Sequence, residues 1–127
     1  MRIHLIGDVQ APAAARSFVR GALREPAHQS VADDVAVIVS ELVTNAVRAD
    51  ASSIEVEIRA DQERIEVSVT DDAGGWPTVR VASVDSLDGR GLEIVDHLAD
   101  SWRTVRRGVG KTVIATRQIS DWTPASS

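Results

Sequence analysis

Two side chains of the segment SELVTNAVR have the chemistry to bind a metal ion and to activate a hydroxyl group. Glu41 and Asn45 are four residues apart, so on a helix they lie on one face, a single turn from each other. A carboxylate and an amide oxygen placed in this way can hold Mg²⁺, which prefers a few protein oxygens together with water and phosphate. Taken alone, the spacing is more typical of an ordinary solvated helix face.

Asp71 is a second candidate, because it follows Ile65, Val67 and Val69 at the strand period of two and takes the next inward position. An unpaired buried carboxylate costs several kcal/mol, against a total stability of about 5–15 kcal/mol. The carboxylate therefore needs a donor, and an amino group such as the exocyclic amine of adenine would serve. The alternative is that the strand ends at Thr70 and that Asp71 is a turn residue.

Two glycine-containing segments could approach phosphate groups. Gly89-Arg90-Gly91 precedes a helical pattern, and a helix N-terminus offers free N–H groups to an anion. Such a segment alone is more often a tight turn. The segment GKT at 110–112 resembles the end of a Walker A motif, but the early glycine is missing and strand-forming residues follow. We therefore interpret it as a hairpin turn that leads into the last strand.

The composition limits the classes of function. The chain has 127 residues, 43% of them hydrophobic, which is enough for one domain with a real core. Its net charge of -5 argues against a general nucleic-acid-binding protein. The chain lacks cysteine, and its three histidines are far apart, so neither a disulfide nor a histidine metal cage is expected. No segment has the length of a signal peptide or a membrane span, so we predict a cytoplasmic protein.

The elements that must position these residues follow from periodicity. We predict a strand at residues 2–6, a helix opened by Pro12, and a second helix from about Ser30 to about Ala49. A hairpin pairs the strands around 54–58 and 65–69, and a third helix begins at Gly89 after a long loop. A final hairpin comprises 101–105 and 112–119. The order predicts an α+β two-layer sandwich over residues 1–119, with a flexible tail at 120–127.

In their order along the chain, four motifs resemble the N, G1, G2 and G3 boxes of the GHKL ATPases. The motifs are ELVTNA at 41–46, DDAGG at 71–75, GRGL at 89–92 and GKT at 110–112. The closest resemblance is to the anti-sigma factor serine kinases of the RsbW and SpoIIAB type, especially the stand-alone actinobacterial ones. It covers nearly the whole chain and implies the Bergerat fold, a mixed and mostly antiparallel sheet with helices on one face.

The resemblance also implies a role for each motif residue. Asn45 would coordinate Mg²⁺, and Glu41 would be the general base. Asp71 would bind the adenine amine, assisted by Thr112 through water, so that nucleotide or, in the empty site, water would satisfy its carboxylate. The residues that would lie near the base or line the phosphates, below a mobile lid at about 77–88, are Gly75, Gly89, Arg90, Gly91 and Leu92.

One departure from the family pattern concerns the G1 box. Ala73 stands where the family has the first glycine of this box. If that position needs a positive φ, the alanine is strained there.

The function that the resemblance implies is ATP-dependent and Mg²⁺-dependent phosphorylation of a serine or threonine on an anti-anti-sigma (STAS-type) protein. A sigma factor would be the alternative partner, and relatives often form homodimers. No contact with nucleic acid or membrane is expected. Three alternatives remain at this point: a non-catalytic binding module gated by ATP or ADP, the detached ATP-binding domain of a histidine kinase, and a structural domain without a ligand.

Overall fold

The computed structural model describes residues 1–73 and 87–119, with the side chains of 87–91 left out. Eight elements follow one another along these ranges in the predicted order, β-α-α-β-β-α-β-β. They are β1 (Arg2–Ile6), α1 (Ala11–Ala22), α2 (Pro26–Arg48), β2 (Ser53–Ala60), β3 (Arg64–Asp71), α3 (Leu87–Leu98), β4 (Ser101–Arg107) and β5 (Gly110–Gln118).

The five strands form one sheet in the order β1-β2-β3-β5-β4. Each of the four pairings is antiparallel, so the expectation of a mixed sheet is corrected for the described strands. β5 lies between β3 and β4 because the last hairpin places its second strand against the end of the first hairpin. This topology brings the end of β3 beside the start of β5, where Asp71 is opposite Lys111.

The core lies between one face of the sheet and the three helices, as expected for an α+β two-layer sandwich. Alternate residues of β2 and β3 are buried on this face, which confirms the period-two prediction. α2 packs against α1, α3 and the central strands. Its buried residues repeat at helical spacing and include Val31, Val35, Ile38, Leu42 and Ala46.

Two helices begin earlier than their sequence patterns predicted. α2 begins at Pro26, four residues before Ser30. Proline is tolerated there because the N–H group that it lacks would have no hydrogen-bond partner at the first helical position. His28 then contacts the β2–β3 turn, with Nε2 2.9 Å from the carbonyl oxygen of Asp61. α3 begins at Leu87, two residues before Gly89. Glycine weakens a helix by only about 1 kcal/mol, so the helix can pass through it.

Among the helices that the structure describes, none combines the length and the apolar character that a bilayer crossing requires.

Candidate functional site

Asp71 is the last residue of β3 and is buried, which confirms the inward position predicted for it. The alternative, a strand ending at Thr70, is therefore wrong. The partner of the carboxylate is a residue that sequence reasoning did not pair with it. Lys111 Nζ lies 3.0 Å from Asp71 Oδ2 and 3.2 Å from Oδ1, and the side chains of Lys111 and Asp71 are only 6% and 3% exposed.

The lysine corrects the expectation that nucleotide or water would satisfy Asp71. In this structure a cation of the chain itself does so. The signal was present in the sequence, because a final hairpin that pairs with β3 brings one residue of the GKT segment opposite Asp71. Only the register, Asp71 with Lys111 and Thr70 with Thr112, decides which residue that is.

Thr112 lies on the opposite face of the sheet from Asp71. Its Oγ1 is 2.8 Å from Oγ1 of Thr70, and Arg107 Nε donates to it at 3.3 Å. Side chains alternate between the two faces of a strand, so neighbours on β5 cannot both face the helices. The structure therefore does not bring Thr112 to Asp71, and the predicted assistance of Thr112 in adenine binding finds no support in the geometry.

Ala73 is accommodated without backbone strain. Its backbone N–H donates to Asp71 Oδ1 at 2.9 Å, and its methyl group is buried. Within the described ranges, the only non-glycine residue with a positive φ is Asp50, at 67°. The penalty expected for alanine in place of glycine is therefore not incurred in this turn.

Gly110 is required by the close approach of β5 to β3. A Cβ atom at this position would lie 1.9 Å from the carbonyl oxygen of Asp71. Any larger residue would displace the backbone that carries Asp71. The glycine of the GKT segment thus serves packing at the site, and no phosphate contact is needed to explain it.

Glu41 and Asn45 lie on α2 as predicted, and both are half-buried. Within the described part of the chain, no hydrogen bond or ion pair of the Glu41 carboxylate is found. Asn45 Nδ2 is a buried donor that also lacks a partner there. Buried polar groups are nearly always paired, so this amide is suited to a ligand such as a phosphate oxygen or water.

The donor set around Asn45 fits a magnesium ion held mainly by a nucleotide. No group of three or more histidine, aspartate, glutamate or cysteine side chains suited to a metal occurs among the described residues. Mg²⁺ in nucleotide sites commonly takes one or two protein oxygens and completes its shell with phosphates and water. The amide oxygen of Asn45 can supply such a ligand.

Leu92 is a core residue, with 3% of its surface exposed. Its side chain therefore packs in the core, and the predicted place of Leu92 beside the phosphates stays a prediction that only its backbone could meet. Gly89, Arg90 and Gly91 belong to the first turns of α3 rather than to a loop before it. Gly75, residues 77–86 of the lid predicted at about 77–88, and the predicted tail at 120–127 lie outside the described residues.

Asp72 anchors the end of β3 to the start of β2. Its Oδ1 accepts hydrogen bonds from the backbone N–H groups of Ser52 at 2.8 Å and Ser53 at 3.2 Å. These bonds, first that of Ser53 and then that of Ser52, lower the pKa of Asp72. Asp61 makes an equivalent pair of bonds in the β2–β3 turn, and the N–H groups of Glu63 and Arg64 lower its pKa in the same way.

We expect Asp72→Ala and Asp61→Ala each to lower the thermal midpoint at neutral pH. A depressed carboxyl pKa stabilises the fold above the unfolded value of about 3.9, and this contribution is lost as the pH falls through the folded pKa. On acidification below about pH 5, the thermal midpoint of each variant should therefore fall less than that of the wild type. Thermal unfolding followed over this pH range measures both effects. An unchanged acid dependence in either variant would contradict the role of its hydrogen bonds.

The comparisons with known proteins agree with this fold. The family model described as histidine kinase-like ATPase domain matches residues 8–117. The solved RsbU and RsbW domains of Rv1364c from Mycobacterium tuberculosis are similar, with a TM-score of 0.64, 22% identity, 93% of this chain covered and 32% of that chain. The histidine kinase domain of the Erythrobacter litoralis EL346 blue-light activated histidine kinase gives a TM-score of 0.56, 21% identity, 86% coverage here and 59% there.

A longer structure of the Erythrobacter litoralis kinase gives a TM-score of 0.54 at 23% identity, over 85% of this chain and 40% of that one. This chain thus spans between about a third and three-fifths of the length of these structures. At such identities the likeness establishes the fold alone. No curated protein matches the sequence.

The antiparallel sheet with helices on one face is that of an α+β domain of the GHKL ATPase class. Because the family model covers most of its length, this chain belongs to the histidine kinase-like ATPase family. Membership in this family implies that the domain binds ATP.

Proposed function

We propose that this domain is an ATP-dependent anti-sigma regulatory factor that phosphorylates a serine or threonine of an anti-anti-sigma partner. The observation that carries the proposal is the state of Glu41. It is a half-buried carboxylate inside an intact ELVTNA motif, and no donor occupies it within the described part of the chain. Such a carboxylate is available to take a proton from an incoming hydroxyl group.

The chemistry assigned to the helix is simple. Glu41 accepts the proton of the partner's hydroxyl group as that oxygen attacks the γ-phosphorus of ATP, and the bond to the β-phosphate oxygen breaks to release ADP. Asn45 provides one ligand to Mg²⁺, which neutralises charge on the phosphates when it is bound. Phosphoryl transfer depends mainly on positioning and electrostatic stabilisation, so few protein groups are needed.

The partner class follows from similarity alone. The solved RsbU and RsbW domains of Rv1364c are similar to this chain in fold, and the sequence motifs resemble those of anti-sigma kinases. An anti-anti-sigma protein of the STAS type would supply the hydroxyl group, and a sigma factor would be a second partner. A homodimer and a cytoplasmic location belong to the same proposal.

A second candidate function is a nucleotide-gated binding module without kinase activity. The observation that favours it is the Lys111–Asp71 ion pair. If this pair must open before adenine binds, nucleotide binding is coupled to a rearrangement of the chain, as gating requires. Such a module would bind Mg-ATP but transfer no phosphate to any partner.

Asn45→Ala provides the first test of the nucleotide site. We expect Mg-ATP to bind the wild type and to bind this variant about ten- to a hundredfold more weakly, because a ligand to the metal and a hydrogen-bond donor are lost. Chelation of Mg²⁺ should weaken ATP binding by the wild type but should change ATP binding by the variant little. Isothermal titration calorimetry measures each affinity.

Thr44→Ala is the matched control on the same helical turn. Thr44 Oγ1 donates to the carbonyl oxygen of Ser40 at 2.7 Å, a local bond that takes no part in the proposed site. The affinity of Thr44→Ala for Mg-ATP should equal that of the wild type. Equal affinities of Asn45→Ala and the wild type would remove Asn45 from the site, and no binding by the wild type at millimolar Mg-ATP would refute the proposed function.

A further inference from the structure

The buried pair of Lys111 and Asp71 occupies the group that would recognise the adenine base. We propose that Lys111 is an internal competitor of the nucleotide: its ammonium group holds the Asp71 carboxylate in the nucleotide-free chain and must withdraw before adenine binds. This inference rests on the proposed ATP site and adds a regulatory contact to it.

The competition concerns the two oxygens of the Asp71 carboxylate. Asp71 Oδ1 already accepts from the Ala73 N–H at 2.9 Å and lies 3.2 Å from Lys111 Nζ, whereas Oδ2 lies 3.0 Å from the same nitrogen. The exocyclic amine of adenine is also an N–H donor, so it would have to reach one of these two oxygens, both of which the lysine already contacts.

Burial excludes a simple addition of the base to the existing pair. The side chain of Asp71 is 3% exposed and that of Lys111 is 6% exposed. An amino group from solvent therefore cannot reach the carboxylate while the lysine lies on it. A neutral amine also attracts a carboxylate less than an ammonium does, because hydrogen bonds with both partners charged are the stronger ones.

The choice of residue is suited to a displaceable contact. Lys111 is the only lysine in the sequence, and every other member of the 14 Lys and Arg residues is arginine. A lysine has a flexible four-carbon stem and makes point-charge contacts, whereas arginine holds a carboxylate through a rigid fork. Since only a fraction of molecules would have Asp71 free, the apparent nucleotide affinity is lowered by that fraction.

Two substitutions of Lys111 test the competition. Lys111→Gln keeps a neutral donor for Asp71, which protects the fold. Lys111→Met removes the donor but keeps an unbranched side chain of similar length. We expect both to bind Mg-ATP more tightly than the wild type, Lys111→Met by about ten- to a hundredfold, as removal of one charged hydrogen bond predicts. Calorimetric titration with Mg-ATP gives the affinities, and circular dichroism verifies that each variant is folded.

Arg103→Met is the control for loss of a positive charge. Arg103 is opposite Ile114 in the register, on the face of the sheet that carries Thr70 and Thr112, away from Asp71. The affinity of Arg103→Met for Mg-ATP should remain within about twofold of the wild-type affinity. The charge of Arg103 is exposed on the other side of the sheet and is largely screened from the site.

The single lysine also permits a direct observation. A chain labelled with ¹⁵N-lysine gives one side-chain ammonium resonance, which should be protected from exchange without nucleotide because Lys111 is buried and paired. Saturation with Mg-ATP should shift this resonance and abolish its protection.

The outcomes separate this inference from the proposed function. Equal Mg-ATP affinity of the wild type and both Lys111 variants, or weaker binding by the variants, overturns the competition and leaves the ATP site intact. Binding by the variants alone supports the competition and the site, but the wild-type chain would then lack the ATP-dependent activity proposed for it. Absence of binding by all three chains at millimolar Mg-ATP overturns both the site and the competition.

Discussion

Asp71→Asn is expected to lower the free energy of unfolding of the nucleotide-free chain by about 3–5 kcal/mol. The substitution leaves the Lys111 ammonium buried without a counter-charge, and breaking one side of a buried pair is far more costly than replacing both sides. Loss of this size is a large part of the total of about 5–15 kcal/mol that a domain possesses. Urea unfolding at neutral pH measures it.

The double variant Asp71→Asn with Lys111→Met completes the thermodynamic cycle. We expect it to recover most of the lost stability, because an amide and a thioether carry no charge and approximate the original volumes. If Asp71→Asn alone costs less than about 0.5 kcal/mol, the size expected for an ordinary surface substitution, the buried ion pair does not form in solution.

The same pair of variants separates folding from ligand binding. Neither Asp71→Asn nor the double variant should bind Mg-ATP as tightly as the wild type, because the carboxylate that accepts the adenine amine is absent from both. Recovery of stability without recovery of affinity would therefore assign Asp71 a direct role in binding. Wild-type affinity in the double variant would remove Asp71 from the nucleotide site.

Glu41→Gln is expected to reduce phosphate transfer by about 10²–10⁴-fold, the usual contribution of a general base. Glutamine has nearly the same shape but cannot accept the proton of the attacking hydroxyl group. Affinity for Mg-ATP should change little, because the proposed role of Glu41 concerns the acceptor hydroxyl rather than the nucleotide. The measurement is transfer of labelled γ-phosphate to STAS-type proteins of the source organism, with calorimetry as the check on binding.

Asp34→Asn is a suitable control for loss of a carboxylate on α2. Asp34 accepts from Arg117 Nη2 at 3.0 Å, and this contact ties the helix to β5 outside the proposed site. The variant should retain the wild-type transfer rate at temperatures where it is folded. Unchanged transfer by Glu41→Gln would exclude Glu41 as the base, and a domain that binds Mg-ATP but transfers nothing would be the non-catalytic module.

The strands, the order of elements and the inward position of Asp71 could be predicted from sequence, because each depends on a local repeat. Ile65, Val67 and Val69 alternate with polar residues, and this period alone places Asp71 on the core face. Helix ends were predicted less well. Pro26 and Gly89 interrupt the helical patterns, yet the helices begin at or before them because helix starts tolerate both residues.

By itself, the sequence determined the α+β class, the helix that carries Glu41 and Asn45, and the presence of a carboxylate at the inner end of β3. Only the tertiary structure decided what that carboxylate contacts. Asp71 and Lys111 are 40 residues apart, and a shift of one residue in the β3–β5 register would have placed Thr112 there instead. Strand register is set by packing against the rest of the sheet, so no local pattern could select the lysine over the threonine.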